Sequence, residues 1–356
     1  MTKTPKQAPV VATRAVRAST GSTYGGSAGA CTMEDVAHEA GVALVTVSRV
    51  INEPDKVSEK TLKTVRAAID KLRYVPNLTA GSLASNRSRI VAAVVPTLSN
   101  ALFAETVDGL AETLSNGGYQ LLLGQTFYRA EDETKVVQAF LGRRVDGIVL
   151  TGTTHAPGLR STLKRAGIPV VETWDMGRQP IDMLVGFSHR QAGREAAAYL
   201  IGKGYRSLAV VGSYPERSLM RVEGFVEAAA ELGIVDVEIE YVDAPSSVDD
   251  GARSLLSLLA RKPAIDAIFC ASDMVALGAL LECQRRGWSV PGRVALMGFA
   301  DLPVAGAGAA GISTVQVPRH QIGVRAGEML LARFADRPLA QRIQDLGVKV
   351  VARATA

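Results

Sequence analysis

The sequence predicts an N-terminal all-α module followed by a larger α/β body in two lobes, and three observations carry that prediction. The first is charge. Residues 1–90 hold 13 Lys/Arg against 7 Asp/Glu, a net of +6, whereas residues 91–356 hold 27 against 28, a net of −1. The second is a change of texture at Ile90, where short amphipathic helices give way to apolar strands alternating with longer helices. The third is quantity: eight or more such strands in residues 90–356 favour two sheets over one. At 47% hydrophobic and 21% charged, the 356 residues can bury a substantial core.

Taken in order, residues 1–31 are rich in Ala, Ser, Thr and Gly, with Gly21, Gly25, Gly26 and Gly29 close together, and are expected to form a disordered tail. Thr32 and Asp35 have capping spacing for a helix over Met33–Ala40, which Gly41 stops. Val45–Val50 is a second helix. Ser58 caps a third, in which Leu62, Val65, Ile69 and Leu72 recur at helical spacing as far as Tyr74. Pro76 breaks the pattern, and Asn77–Ala84 can form one more short helix before Arg87 and Arg89. The expected strands are Ile90–Val95, Gln120–Leu123, Gly147–Leu150, Pro169–Val171, Leu208–Val211, Glu238–Val242, Ala267–Cys270 and Val294–Gly298. Helices fit between most of them, among them Phe103–Asn116, Gln191–Gly202, Ala252–Ala260 and Met274–Arg286. This β–α alternation predicts mainly parallel sheets covered by helices. Trp174–Asp182 interrupts the rhythm and reads as a crossover between lobes.

Several function classes fall away. No apolar run approaches the ~18–20 residues of a membrane helix. Lys3, Lys6, Arg14 and Arg17 are not followed by the apolar segment of a secretory signal. Cys31, Cys270 and Cys283 are too few and scattered for a disulfide framework or zinc ribbon, so reduced, cytoplasmic thiols are expected. Gly306-Ala-Gly-Ala-Ala-Gly311 satisfies the G-x-G-x-x-G of dinucleotide enzymes. That fingerprint should open a helix, yet Ile312–Pro318 reads as a strand. There is no Walker loop, no G-x-S-x-G and no H-E-x-x-H, so an enzyme is not expected, nor a cofactor or metal ion. A secreted sugar-binding protein would share the body but needs an export signal.

The basic module points to a polyanion. Ala37, Gly41 and Val47 have helix-turn-helix spacing: a small residue where helices cross, a Gly for a turn with φ > 0, and a buried Val locking the second helix. Thr32-Met-Glu-Asp-Val-Ala-His-Glu-Ala-Gly-Val-Ala-Leu-Val-Thr-Val-Ser-Arg-Val-Ile-Asn52, Lys56-Val-Ser-Glu-Lys-Thr61 and Leu72-Arg-Tyr-Val-Pro-Asn77 together resemble the N-terminal signature of the LacI/GalR family of transcriptional repressors. The resemblance implies a DNA-binding domain over residues 32–76, a hinge helix and linker over 77–89, and a two-lobed effector and dimerisation core, like periplasmic sugar-binding proteins, over 90–356. It places Leu44, Val45, Ser48 and Arg49 against the major groove, although Val45 is also readable as a core position. Arg49 then meets either a guanine edge or a phosphate. Thr32, Lys56, Ser58, Thr61 and Tyr74 match phosphate-contacting positions. Asn77, Ala80 and Leu83 match the hinge, Leu83 as a minor-groove wedge. Ala43 departs from the family's Ser or Thr, losing a helix cap of ~0.5–2 kcal/mol.

In the body, Pro96-Thr-Leu-Ser-Asn-Ala-Leu-Phe103 resembles the family's P-x-L-S-N-x-x-F loop, implying Asn100 and Phe103 in the effector cleft. Arg221-Val-Glu-Gly-Phe225 matches R-x-x-G-F, with Arg221 on the ligand. Ser272-Asp273 matches a motif of which one member faces the cleft. Gly298-Phe-Ala-Asp301 departs from G-[YF]-D-D, with Ala300 in place of an acid beside Asp301, which favours an anionic ligand. Gly118-Tyr-Gln-Leu-Leu-Leu, Val145-Asp-Gly-Ile-Val-Leu-Thr, Thr154-His-Ala-Pro157, Ala166-Gly-Ile-Pro-Val-Val-Glu172, Val185-Gly-Phe and Glu282-Cys-Gln-Arg-Arg-Gly287 resemble the gluconate-operon repressor branch. That implies gluconate as effector, its carboxylate on Arg221 and its hydroxyls near His155 and Glu172, with a neutral sugar, a phosphorylated sugar acid or a purine as the alternative ligands. The two are equally readable as a surface-loop residue and a strand-end residue. The expected partners are pseudo-palindromic operator DNA and a second copy of the chain, with no membrane. The chain stops at Ala356 with no heptad tail, favouring a dimer over a tail-built tetramer.

Overall fold

The computed structural model describes residues 31–75, 87–98, 101–214, 216–306 and 311–356. They fall into two compact units.

The first unit holds α1 (Met33–Ala40), α2 (Leu44–Asn52), a 3-10 turn at Pro54–Lys56 and α3 (Glu59–Leu72). Thr32 caps α1: its hydroxyl accepts from Asp35 N at 3.2 Å, and the Asp35 carboxylate accepts from Thr32 N at 2.8 Å. Gly41 ends the helix at φ 64°, a left-handed conformation that costs a Cβ-bearing residue. Ser58 caps α3 through Thr61 N, while Ala43 gives α2 no side-chain cap. Val36, Ala37, Val47, Val50, Val65, Ala68 and Tyr74 close the core between the three helices. The small Ala37 and the buried Val47 thus sit where the helix-turn-helix spacing requires them.

The second unit is built of two parallel sheets. The first lobe takes β1 (Ile90–Val95), α4 (Ala104–Asn116), β2 (Gln120–Gln125), α5 (Ala130–Gly142), β3 (Gly147–Thr151), α6 (Leu159–Ala166), β4 (Val170–Thr173) and β5 (Met183–Gly186). The chain then crosses at Phe187–Ser188 into α7 (His189–Gly202), β6 (Leu208–Ser213), α8 (Glu216–Glu231), β7 (Glu238–Val242), α9 (Val248–Arg261), β8 (Ala267–Cys270), α10 (Asp273–Arg285), β9 (Ala295–Ala300), α11 (Pro303–Gly306) and β10 (Ser313–Gln316). It returns at Val317–Pro318 to α12 (Arg319–Phe334) and β11 (Ile343–Asp345), and ends on β12 (Lys349–Val351).

One sheet has the order β11-β5-β4-β3-β1-β2 and the other β12-β10-β9-β8-β6-β7, with β12 the antiparallel member. The two lobes are therefore joined by three strands of chain. Trp174–Asp182 is not one of them. It links β4 to β5 within one sheet, because the short, fully buried Met183–Gly186 adds a strand before the chain leaves the lobe. The Gly306–Gly311 stretch begins at the end of α11, and β10 follows it, so it does not open a helix.

Candidate ligand cleft and nucleic-acid interface

On α2 the side chains divide by face. Val47 and Val50 are buried, while Leu44 and Val45 are 44% and 61% exposed and Arg49 is exposed beside them. Val45 is therefore surface, not core. Positions 45, 48 and 49 follow the i, i+3, i+4 spacing of one helical stripe, which presents an apolar group, a hydroxyl and a guanidinium, with Leu44 beside it. Thr32 and Ser58 are exposed at helix starts, Lys56 is exposed at the end of the 3-10 turn within 3.2 Å of Glu53, and Thr61 is half-buried. Tyr74 is 7% exposed, and its ring packs in the core of the unit. Asn77, Ala80 and Leu83 lie outside the described residues, as do the tail through Ala30 and the expected hinge helix.

The second site forms between the lobes of the larger unit. An inner cavity is lined from the first lobe by Leu102, Phe103, Tyr128 and Trp174, and from the second by His189, Arg217, Ser218, Arg221, Ser272 and Phe299. An outer cavity of about 510 Å³ adjoins it, and Tyr128, Arg217 and Ala244 line both. Strand ends supply most of this wall, as expected for ligand sites of parallel sheets.

Arg221 is held there by packing that explains the R-x-x-G-F motif. A Cβ at Gly224 on α8 would collide with the Arg190 carbonyl of α7, and one at Gly193 on α7 with the Arg221 carbonyl. The two glycines let the helices touch, and Phe225 stacks on Phe269 at 5.3 Å behind them. So anchored, the Arg221 guanidinium lies 4.0 Å from the Phe299 ring centroid and donates to the Ala271 carbonyl at 3.0 Å and to His189 Nδ1 at 2.8 Å. A guanidinium only donates and a carbonyl only accepts, so His189 Nε2, 2.7 Å from the Trp174 carbonyl, carries the ring proton. Burial, and then the charges of Arg221 and Arg217, hold His189 well below its ordinary pKa, and the neutral ring follows.

Arg217 sits one helical turn from Arg221. Neither forms an ion pair among the described residues, and Arg221 Nε is buried with no hydrogen-bond partner there. Burial first, then Arg217, pushes against the charge of Arg221. Asp175 partly offsets Arg217, but burial pushes its own carboxyl pKa up, and it is engaged by Thr153 Oγ1 at 2.8 Å. The inner cavity is thus lined by two guanidiniums without an ion-pair partner among the described residues, and such a site favours an anion.

The other expected cleft residues divide. Phe103 lines the inner cavity, as does Ser272, whose hydroxyl also caps α10. Asn100 lies outside the described residues. Asp273 is fully buried and turned away: Thr314 Oγ1 donates to it at 2.6 Å and Leu302 N at 2.7 Å, in space that Gly298 leaves open. Burial raises its pKa to about 6. Asp301 instead pairs with Arg353 at 2.7 Å and accepts from Gln316. Ala300, 1% exposed, lines neither cavity, whereas Arg217 and Arg221 both line the inner one.

His155 borders the outer cavity and is no loose surface residue: its Nδ1 lies 2.7 Å from Glu133 and its Nε2 3.0 Å from Glu172. Against the lowering effect of burial, those two carboxylates raise its pKa to about 9. Glu172 is fully buried, also accepts from Ile181 N, and lines neither cavity. It fixes His155 and is not a ligand group.

Sequence reasoning missed His189, Arg217, Tyr128 and Trp174. Arg217 alone left a signal, four residues before Arg221. Tyr128 and Trp174 adopt φ 62° and 64°, strained conformations that cluster at ligand sites and leave no mark on residue type.

A helix-turn-helix in one chain with a two-lobed cleft is the architecture of a ligand-responsive DNA-binding regulator. Residues 32–77 match the model of bacterial regulatory proteins of the lacI family, and residues 88–352 that of periplasmic binding proteins and the sugar-binding domain of the LacI family. The chain belongs to the LacI family of bacterial regulatory proteins, transcriptional repressors that bind operator DNA and small-molecule effectors. It is 37% identical to the HTH-type transcriptional regulator GntR of Pseudomonas aeruginosa, over 90% of this chain and 94% of that one. It is 33% identical to the protein of the same name from Escherichia coli K12, over 88% and 95%. A LacI-family regulator of known structure from Silicibacter pomeroyi superimposes with a TM-score of 0.82 at 36% identity, covering 91% of this chain and 99% of that one.

Proposed function

We propose that this repressor is controlled by an aldonic acid of the gluconate type, bound with its carboxylate on Arg221 and Arg217. The observation that carries the reading is the buried Arg221 guanidinium beside half-buried Arg217, neither with an ion-pair partner among the described residues. A neutral sugar would leave both charges uncompensated, whereas a carboxylate forms charge-assisted, bidentate bonds with a planar guanidinium. Ser272, Ser218 and Tyr128 supply hydroxyl partners for a polyol chain running towards the outer cavity. The stretches similar to the gluconate-operon repressor branch support the same ligand.

The protein works as a cytoplasmic homodimer on a pseudo-palindromic operator. Leu44 and Val45 meet thymine methyls or groove shape, and Arg49 a guanine edge or phosphate. Domains run 32–76 for DNA binding, 77–89 for the hinge and 90–356 for the core. Ligand closing the cleft changes the angle between lobes at the three crossings and loosens the grip on DNA. By linkage, DNA weakens ligand binding by the same factor.

The test is recovery of chromosomal fragments by the purified protein with and without gluconate. A discrete set of fragments, released by gluconate and absent with Arg49→Ala, is the expected result. Recovery indifferent to gluconate would remove the sugar acid from the account, and unchanged recovery with Arg49→Ala would remove Arg49 from the interface.

A further inference from the structure

We infer that the end of the first lobe opposite the ligand cleft is a second DNA-contacting surface, one that grips phosphates of the duplex sequence-independently. The inference rests on the DNA-binding reading of the helix-turn-helix and adds a separate contact to it.

All strands of the first-lobe sheet are parallel, so the residues before each strand gather on one face. That face carries Arg89 before β1, Arg143 and Arg144 before β3, Lys164 and Arg165 at the end of α6, and Arg337 after α12. All six are exposed, and none has a carboxylate within 4 Å among the described residues. The nearby acids are otherwise occupied. Asp146 accepts from the backbone N–H groups of Ser88 and Arg89 and from the Ser88 hydroxyl, and Asp182 pairs with Arg342. A groove of about 450 Å³, lined by Arg87, Tyr119, Arg144 and Phe334, runs through this face.

Cations at helix C-termini are common because the macrodipole favours them. The second lobe, with the same architecture, shows what that ordinary effect looks like. At its equivalent end Arg261 pairs with Glu238 and Glu240, Lys262 with Asp236, and Arg285 and Arg286 both with Glu282. Among the described residues the first lobe leaves six such exposed cations without carboxylates, against Lys203 and Arg206 in the second. The asymmetry has a place in the chain as well. The linker from the DNA-binding unit joins the core at Arg87, on this face, and its eleven residues reach at most about 40 Å fully extended. A duplex held by the helix-turn-helix is tethered here, at the end of the strands away from the cleft. Unpaired guanidiniums and an ammonium presented to a tethered polyanion give counterion-release binding.

The experiment uses the full chain and a mixed-sequence duplex of about 40 base pairs, titrated at salt concentrations from about 50 to about 200 mM. The first variant combines Arg143→Ala, Arg144→Ala, Lys164→Ala and Arg165→Ala. A charge-matched control combines Arg261→Ala, Lys262→Ala, Arg285→Ala and Arg286→Ala in the second lobe. The first variant is expected to show a log K against log salt slope shallower by about 0.9 per lost phosphate contact, and roughly ten-fold weaker binding at low salt. The control is expected to keep the parent slope. Equal slopes in all three proteins, or equal losses in the two variants, overturn the second surface and leave the helix-turn-helix reading standing. A parent protein that binds no duplex overturns both. Equal thermal midpoints of the parent and first variant confirm that a loss is not misfolding.

Discussion

At the scale of single residues, electrostatics decides more than hydrogen-bond counting. Arg221 and His155 are both buried cations or near-cations, but they have opposite surroundings. His155 is flanked by Glu133 and Glu172, whereas Arg221 faces Arg217 and a neutral His189. The first is a completed structural pair; the second is an incomplete one that a ligand anion would complete. His155 gives a pH prediction. Its pKa is raised in the folded state to about 9, above the ordinary value near 6.5, so its contribution to stability is fully present below about 6.5 and is lost as pH rises through about 9. Urea unfolding between those limits should show a loss of order 3 kcal/mol at most. His155→Gln should flatten that loss, being less stable than the parent at low pH and converging with it at high pH. Parallel profiles for the two proteins would show that another group titrates.

At the scale of elements, close helix contacts aim the functional side chains. Gly193 and Gly224 bring α7 and α8 together, and α8 carries both arginines. Gly224→Ala forces a methyl against the Arg190 carbonyl and should cost about 1–3 kcal/mol of stability, as overpacking does. Because the displaced helix carries Arg217 and Arg221, gluconate affinity should fall as well. Denaturant midpoints and titration read the two effects, and unchanged values for both would mean that the helices have slack.

Elements were legible where the signal was long. The helix Met33–Ala40 and the strands Ile90–Val95, Glu238–Val242 and Ala267–Cys270 have the boundaries expected from capping and apolar runs. Met183–Gly186 and the three-residue β11 and β12 escaped because so short a segment shows no period. The motif residues were legible as a group but not by role. Arg221 and Asp273 are equally prominent in the sequence, yet only the fold shows that one faces the cleft and the other pins β9 to β10.

At the scale of the whole molecule, two units of different chemistry share one chain. An all-α unit, preceded by a basic tail, exposes Leu44, Val45 and Arg49 on its second helix, and a near-neutral body encloses a cationic cleft. The architecture was legible because charge and texture both change near residue 90. The proposed preference of the cleft for an anion was legible only in part, since it depends on Arg217 and Arg221 lacking an ion-pair partner among the described residues. That preference is the central claim, and isothermal titration of the purified chain tests it most directly. Gluconate, 6-phosphogluconate, galactose, ribose and guanine would be titrated into the parent and into Arg221→Ala. The account predicts saturable binding of gluconate to the parent, weakened at least ~30-fold in Arg221→Ala, as expected when one partner of a buried charge pair is lost. Saturable binding of galactose, ribose or guanine with gluconate inert, or gluconate binding indifferent to Arg221, would contradict it.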